Sequence, residues 1–475
     1  YRRKKESFTG SASTYKVEDL KAAGTQNVLQ SIRTLDPSFK INVNNQFGSD
    51  PNRLPDVEIR GKSSVMGLKE EYGTDPNQPL FILDGFETDL QTVMDLNMNR
   101  VASVTLLKDA ASTAIYGSRA ANGVLVIETK VPEGGKLRFS YTFNGSIQVP
   151  DLTSYNLMNA AEKIKLEWEG GLCNTSNPER DVLFKQAYYK RLKAVQEGVD
   201  TDWLSQPLHT GIGQNYNFRF EGGSDEFRWA ASVGYKDIQG AMIGSERKTF
   251  NGSITLSYTY KNLIFRNQAS IGRNKSKESP YGEFSKYAEQ QPYHAPYDMD
   301  GKLNRYFDGW DAWSGQTQNP LYDATLNNVE KRGYMEVINN FSIEWKMFPE
   351  LTLRGQFGIS HKDDTYDKYR SPESSEFMEY TGDQILRKGT YEYTTGKTNT
   401  YEGNLTLSYS RLFKEKHSLY VGLDGSIAQS DGYSYNFKTE GFTNDRAFIG
   451  NALNYPQNGR PSATESKTRR AGLVG

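Results

Sequence analysis

From residue 136 onward, apolar and polar positions alternate. In KLRFSYTFNGSIQV (136–149), Leu137, Phe139, Tyr141, Phe143, Ile147 and Val149 share one face, and Lys136, Arg138, Ser140, Thr142, Asn144, Ser146 and Gln148 share the other. FRWAASVGYK (227–236) and TFNGSITLSYTY (249–260) repeat the pattern, as do YMEVINNFSIEWKMF (334–348), LTLRGQFGIS (351–360), YEGNLTLSYS (401–410) and SLYVGLDGSIA (418–428). Period-2 alternation is the signature of a strand with two unlike faces. Runs of about ten residues also match the length a tilted strand needs to cross a bilayer.

A soluble sandwich alternates too, so the connections carry the decision. The predicted strands lie near 136–149, 215–221, 227–237, 249–260, 262–273, 335–348, 351–361, 401–411 and 418–429, with another starting near 467. Between them the links run long, short, long, short. GGSDE, the junction at Lys261 and Asn262, PEL (349–351) and RLFKEKH are short, while 150–214, 238–248, 274–334, 362–400 and 430–466 are longer. Tight turns at one end and large loops at the other are the asymmetry of an outer-membrane β-barrel. A sandwich or propeller has no reason to keep that parity.

The first 130 residues follow other rules. KVEDLKAAGTQNVLQSI (16–32) has apolar Val17, Leu20, Val28, Leu29 and Ile32 broken by Gly24, which predicts one or two short helices. DVEIRG (56–61) and PLFILDG (79–85) read as brief strands ending in glycine turns. VASVTLL (101–107) and GVLVIET (123–129) are β-rich and flank DAASTAIYG, where Asp109 suits an N-cap, 110–116 a short helix and Gly117 its end. This half predicts a small α+β domain.

A helix start between two strands invites a phosphate-cradle reading, and the spacing rejects it. The one Gly-Lys-Ser, Gly61-Lys62-Ser63, has Asp56 where a P-loop needs its upstream glycine. A dinucleotide fingerprint places its glycines before the helix, whereas Gly117 and Gly123 follow it.

Composition narrows the picture further. Fifty-seven basic residues balance 58 acidic ones, which argues against a nucleic-acid binder relying on a strongly basic surface. A single cysteine, Cys173, excludes an intrachain disulfide framework and a cysteine-rich metal site. The four histidines are scattered, with no HExxH, so no metal or cofactor is expected. Mean hydropathy of −0.72 hides a barrel, because lipid-facing and lumen-facing residues average out. Thirty tyrosines, 23 phenylalanines and 43 glycines suit one.

Barrel size links the two halves. A ten-stranded barrel is largely filled by its own side chains, and a barrel enclosing a 130-residue plug needs about 22 strands. If the N-terminal α+β half is a plug in the lumen, the expected fold class is a large membrane β-barrel of about 22 strands, of which about ten are present here. Residues 1–132 are expected to be the plug and 133–475 the first part of the barrel.

Residues 79–130 closely resemble the plug segment of TonB-dependent outer-membrane transporters, most of all the SusC/RagA branch found in Bacteroidetes. The resemblance rests on Leu-Asp-Gly at 83–85 (Asp84, Gly85) and on the 103–110 run with Lys108 and Asp109. It also rests on 115–123 with Tyr116, Gly117, Arg119, Asn122 and Gly123, and on VEIRGKSS with Arg60 and Gly61. The immunoglobulin-like extension and TonB-contacting segment that members carry ahead of the plug are not within these residues. The resemblance implies a bacterial outer-membrane location, lipid contact and energy coupling through TonB. It also implies a SusD-like surface lipoprotein as partner, import of oligosaccharides or oligopeptides, no catalysis, and a structural ion pair for Arg119.

Within that frame RYFDGWDAWSGQTQNPLYD (305–323) is the expected cargo-contacting loop. Trp310 and Trp313 suit stacking on sugar faces, and Asp308 and Asp311 suit hydrogen bonds to hydroxyls. DMDGK (298–302) has its glycine too early for an EF-hand and reads as a hairpin turn. The alternative from another class is a secreted β-rich protein that binds or degrades glycans, although no carboxylate pair stands out and a hydrolase has no need of a plug segment.

Overall fold

The computed structural model describes residues 11–24, 27–42, 50–59, 61, 77–109, 113, 116–117, 120–309, 316–413, 417–456 and 459–474. In the N-terminal lobe, β1 (Ala12–Lys16) leads into the helices Val17–Ala23 and Val28–Leu35. Then come β2 (Phe39–Asn42), β3 (Asp56–Ile59), β4 (Leu80–Leu83), β5 (Phe86–Thr88), the helix Leu90–Asp95, β6 (Val101–Leu107) and β7 (Val124–Thr129). Five of these strands form one sheet in the order β1-β6-β7-β4-β5, and β2 pairs with β3.

Local chemistry sets these boundaries. Asn27 caps the second helix by accepting from the Gln30 amide, and Asp89 caps Leu90–Asp95 by accepting from Thr92. Leu20, Val28, Leu29 and Ile32 turn inward at helical spacing and pack with Phe81, Val93, Val101, Val104, Leu125 and Ile127 into one buried core. Of the one or two short helices expected over 16–32, two are present, divided at Gly24.

From Gly135 the chain becomes a wall of antiparallel strands. They are β8 (Gly135–Gln148), β9 (Gly211–Gly223), β10 (Phe227–Gln239), β11 (Glu246–Tyr260) and β12 (Leu263–Lys277). After a small hairpin, β13 (Tyr306–Asp308) and β14 (Gln316–Gln318), the wall resumes with β15 (Val329–Phe348), β16 (Leu351–Arg370), β17 (Thr390–Phe413) and β18 (His417–Phe442). The short β19 (Ala452–Asn454) and the long β20 (Ser462–Val474) both pair with β18. Each long strand pairs with its neighbours in the wall's sequence, as an up-and-down barrel requires.

All ten expected strands are present, and most are longer at the loop end than the alternation indicates. β16 runs on through HKDDTYDKYR to Arg370, and β17 begins at Thr390 rather than near 401. Those extensions carry polar residues on both faces. They lie past the apolar band, where nothing forces one face to be greasy, so periodicity loses sight of them. At about 3.3 Å per residue, the 26 residues of β18 run roughly 85 Å, far more than a ~25 Å apolar band requires even when tilted.

The alternation itself has a clear physical reading. Leu137, Phe139, Tyr141, Phe143 and Ile147 point away from the lobe, with Ile147 77% and Leu137 68% exposed. The same holds for Ile254, Leu256 and Tyr258 on β11 and for Leu419, Val421, Leu423 and Ile427 on β18. A continuous apolar exterior of this extent is a surface built for lipid. Among the described residues no helix is long and apolar enough to cross a membrane.

One expected link differs. The connection 240–245 is a compact turn, because Leu208 and Met242 form an isolated bridge and the Ser245 hydroxyl bonds the Met242 carbonyl. The other loop-end connections are long, and 149–210 carries the helices Ala160–Glu169 and Pro178–Gln196.

Candidate functional site

The seam between lobe and wall is built by one segment, DGFETDLQTVMDLN (84–97). Asp84 and Gly85 form the two-residue turn joining β4 to β5, and both have positive φ, 53° and 95°. That is the type I′ geometry an Asp-Gly pair favours. The Asp84 carboxylate accepts from the Thr129 amide at 2.8 Å and the Thr129 hydroxyl at 2.7 Å, which ties the turn to the end of β7. A side chain at Gly85 would meet Gln356 of β16, so the turn's apex touches the wall.

From that apex the segment bonds successive strands. The Glu87 amide donates to Glu402 on β17 at 3.3 Å, and Arg470 of β20 pairs with the Glu87 carboxylate at 2.9 Å. Asp89 receives Lys362 of β16 at 2.5 Å, and the Thr92 hydroxyl donates to Glu336 of β15 at 3.0 Å. Asn97 donates to Asn217 of β9 at 2.9 Å. Phe86 lies against Gly358 of β16, where an added Cβ would fall 2.6 Å from the ring.

Asp95 is the centre of the seam. Its carboxylate takes a bidentate pair from Arg247, at 2.6 and 3.0 Å, a bond from Tyr334 at 2.7 Å and one from Thr249 at 3.4 Å. Asn251 donates to the Asp95 carbonyl at 3.2 Å. Asp95 and Arg247 side chains are 3% and 5% exposed, so the pair is buried with both partners' bonding capacity largely used.

The residues singled out from sequence serve the lobe's interior. Lys108 pairs with Asp36 at 2.7 Å, and its amide donates to the Ser11 carbonyl. Burial alone would raise the Asp36 carboxyl, but Lys108, Ser38 and Tyr15 outweigh it and hold it well below the usual carboxylate range. The Asp109 carboxylate accepts from the Ser11 amide, and its carbonyl accepts from Thr113 at 3.0 Å, the start of a helical turn. Tyr116 packs beside Leu80, Ala120 and Val124, and burial pushes its hydroxyl up to about 12. Gly61, Gly117 and Gly123 all take positive φ, and a Cβ at Gly123 would crowd Ile59 and the Leu107 carbonyl. Asn122 lies in the turn leading to Gly123. Arg60, Arg119 and most of the expected helix over 110–116 lie outside the described residues.

At the loop end, Asp308 is paired with Lys190 at 2.5 Å, and this bond holds its carboxyl below the usual range. Its carbonyl accepts from Arg191 at 2.8 Å. Trp310, Asp311 and Trp313 lie outside the described residues. DMDGK forms the expected turn: Asp298 accepts from the Asp300 and Lys302 amides, and Gly301 has φ +77°. Among the described residues no cluster of His, Cys, Asp or Glu could hold a metal ion.

Sequence reasoning missed Asp95, Asp89, Glu87 and their wall partners. Asp89 and Asp95 bracket a short helix and look like ordinary helix-end residues. Arg247, Glu336 and Lys362 occupy lumen-facing positions that any polar residue could fill.

The TonB-dependent Receptor Plug Domain family matches residues 4–124. The chain is 26% identical over 95% of its length to TonB-dependent receptor P3 of Formosa agariphila, covering 41% of that protein. It is 25% identical over 82% of its length to TonB-dependent receptor SusC of Bacteroides thetaiotaomicron, covering 39%. Residues 4–124 thus match the plug family, and most of the chain is similar to TonB-dependent receptors, SusC among them. The structure of the RagAB peptide transporter superposes with a TM-score of 0.75 at 20% identity, covering 98% of this chain and 53% of that one. The chain thus spans about two fifths of the curated relatives it matches. The N-terminal lobe is the plug, the wall is part of an outer-membrane β-barrel, and the relatives are named as receptors and transporters rather than enzymes.

Proposed function

We propose that the protein of which this chain is part imports bulky nutrients across the outer membrane, driven by TonB, with a SusD-like surface lipoprotein at its outer face. The observation that carries this reading is the seam: a separately folded plug is seated by charged and amide side chains of residues 84–97. Polar contacts of that kind can be exchanged for water when the plug is displaced. In this reading residues 1–132 form the plug and residues 133–475 the first part of the barrel.

Oligosaccharides are the proposed cargo, and oligopeptides the competing one. Trp310, Asp311 and Trp313 are proposed to meet cargo, with Asp308 bracing their loop through Lys190. Trp310→Ala with Trp313→Ala is expected to lower uptake at least tenfold while leaving the amount of protein in the outer membrane unchanged. The function is tested by uptake of oligosaccharides and peptides in cells with and without the gene, before and after a protonophore collapses the inner-membrane gradient. Loss of uptake in both deleted and de-energised cells is expected. Uptake that survives the protonophore would contradict energised import.

A further inference from the structure

The outward face of the wall carries a charge pattern of its own above the apolar band. On β12 the buried Asn274 and Ser276 face the lumen, so Arg273, Lys275 and Lys277 face outward, and all are exposed. Ten residues at about 3.3 Å each, tilted by roughly 40°, place Arg273 about 25 Å above Leu263, the height of that band. Lys275 and Lys277 follow at the level of the outer-leaflet headgroups.

The register stacks like charges. Lys277 lies directly opposite Lys331 of β15, and Lys275 directly opposite Lys248 of β11. Like charges so placed repel unless an anion lies between them. Elsewhere along this rim carboxylates supply the anion: Asp363 pairs with Lys397 at 3.9 Å, Asp431 with Lys467 at 3.3 Å, and Glu246 and Asp237 with Lys248. Among the described residues, Arg273, Lys275, Lys277 and Lys331 form no ion pair. Glu246 sits opposite Lys277 but is taken by Lys248, and Asp367 sits opposite Lys331 without pairing with it. Gly333, opposite Lys275 on the β15 side, leaves the surface open there.

Directly below, the surface is apolar. Arg273 lies in register between Phe250 and Met335, and Ile271 and Val337 continue the same face toward the middle of the band. Cations above such a surface match a lipid that bears phosphate. A phosphate group offers three strong acceptor oxygens, and the Arg273 fork suits it bidentately. A soluble anion has no use for Phe250 and Met335, and an acidic protein would first have to displace the lipid that surrounds a barrel at this depth. We propose that Arg273, Lys275, Lys277 and Lys331 bind the phosphate of an outer-leaflet lipid, whose acyl chains lie along Phe250, Ile271, Met335 and Val337. The site needs only an outer-membrane barrel and is independent of what that barrel carries.

The test is native mass spectrometry of the full-length protein in nonionic detergent, titrated with lipid A bearing two phosphates, its phosphate-free counterpart, inorganic phosphate and polyglutamate. The phosphorylated lipid is expected to stay bound at concentrations where its phosphate-free counterpart does not. Lys275→Gln with Lys277→Gln should weaken that binding at least tenfold. Lys397→Gln, which removes an outward cation already paired with Asp363, should leave it unchanged. Lys331→Gln removes the like charge facing Lys277, so its thermal midpoint without lipid should equal or exceed the parent's and should rise less when the phosphorylated lipid is added. Equal retention of both lipids, binding indifferent to the Lys275 and Lys277 changes, or an equal loss in Lys397→Gln would overturn the site. So would a Lys331→Gln midpoint that rises with lipid as far as the parent's, or tighter binding of inorganic phosphate or polyglutamate than of the phosphorylated lipid.

Discussion

At the scale of single residues, Asp95 shows why a buried ion pair holds a position better than it adds stability. Taking two charges out of water offsets most of their attraction, whereas removing one partner strands the other. Asp95→Ala leaves Arg247 buried without its carboxylate and removes the acceptor of Tyr334. The expected loss is about 3–5 kcal/mol, seen as a lower thermal midpoint and faster proteolysis of the plug in detergent-solubilised protein. Asp95→Leu combined with Arg247→Met should recover most of it. A single variant as stable as the parent would mean that the pair is not holding the plug. None of this was readable in the sequence: the Leu-Asp-Gly turn announces itself by its residue types, but the pairing of residues 95 and 247 exists only once the wall has folded.

At the scale of elements, strands were legible where an apolar face meets lipid and illegible beyond it. The turn ends of β10, β11, β15 and β16 fall within a residue or two of the positions indicated by alternation, because short turns and the apolar band coincide there. The loop ends do not, since water lies on both sides of β16 past His361. The outer loops are also elements in their own right, with cores of their own. His294 stacks on Phe307, with centroids 4.5 Å apart, and lies near Arg191 and Asp308. Burial first, and Arg191 second, push its imidazole down to about 4, against a smaller opposite effect of Asp308.

The sign of the resulting pH dependence follows. An unfolded histidine titrates near 6.5, so the unfolded loops bind more protons than the folded ones between about pH 6.5 and 4. Loop stability is therefore complete above about pH 6.5, declines as pH falls toward 4, and levels off below. Limited proteolysis of the loops 149–210 and 278–328 should accelerate from pH 7.5 to 4.5, and His294→Phe should flatten that change. Equal rates in the parent at both pH values would count against a buried neutral histidine.

At the scale of the whole molecule, a lipid-facing wall is joined to a plug seated by one segment. The two halves were separable in the sequence because their hydrophobic periods differ, and the wall's inability to enclose a plug with ten strands pointed to a larger barrel. What holds the halves together was hidden, since lumen-facing side chains need only be polar to fit the alternation. The most direct measurement is a cross-link across the seam. In a Cys173→Ser background, Asn97→Cys and Asn217→Cys replace two side chains that bond at 2.9 Å, and the full-length protein is oxidised in isolated outer membranes. An intramolecular disulfide is expected, seen as a reducible mobility shift that neither single variant shows. Two freely reactive thiols and no shift in protein inserted in the outer membrane would contradict a plug seated against β9.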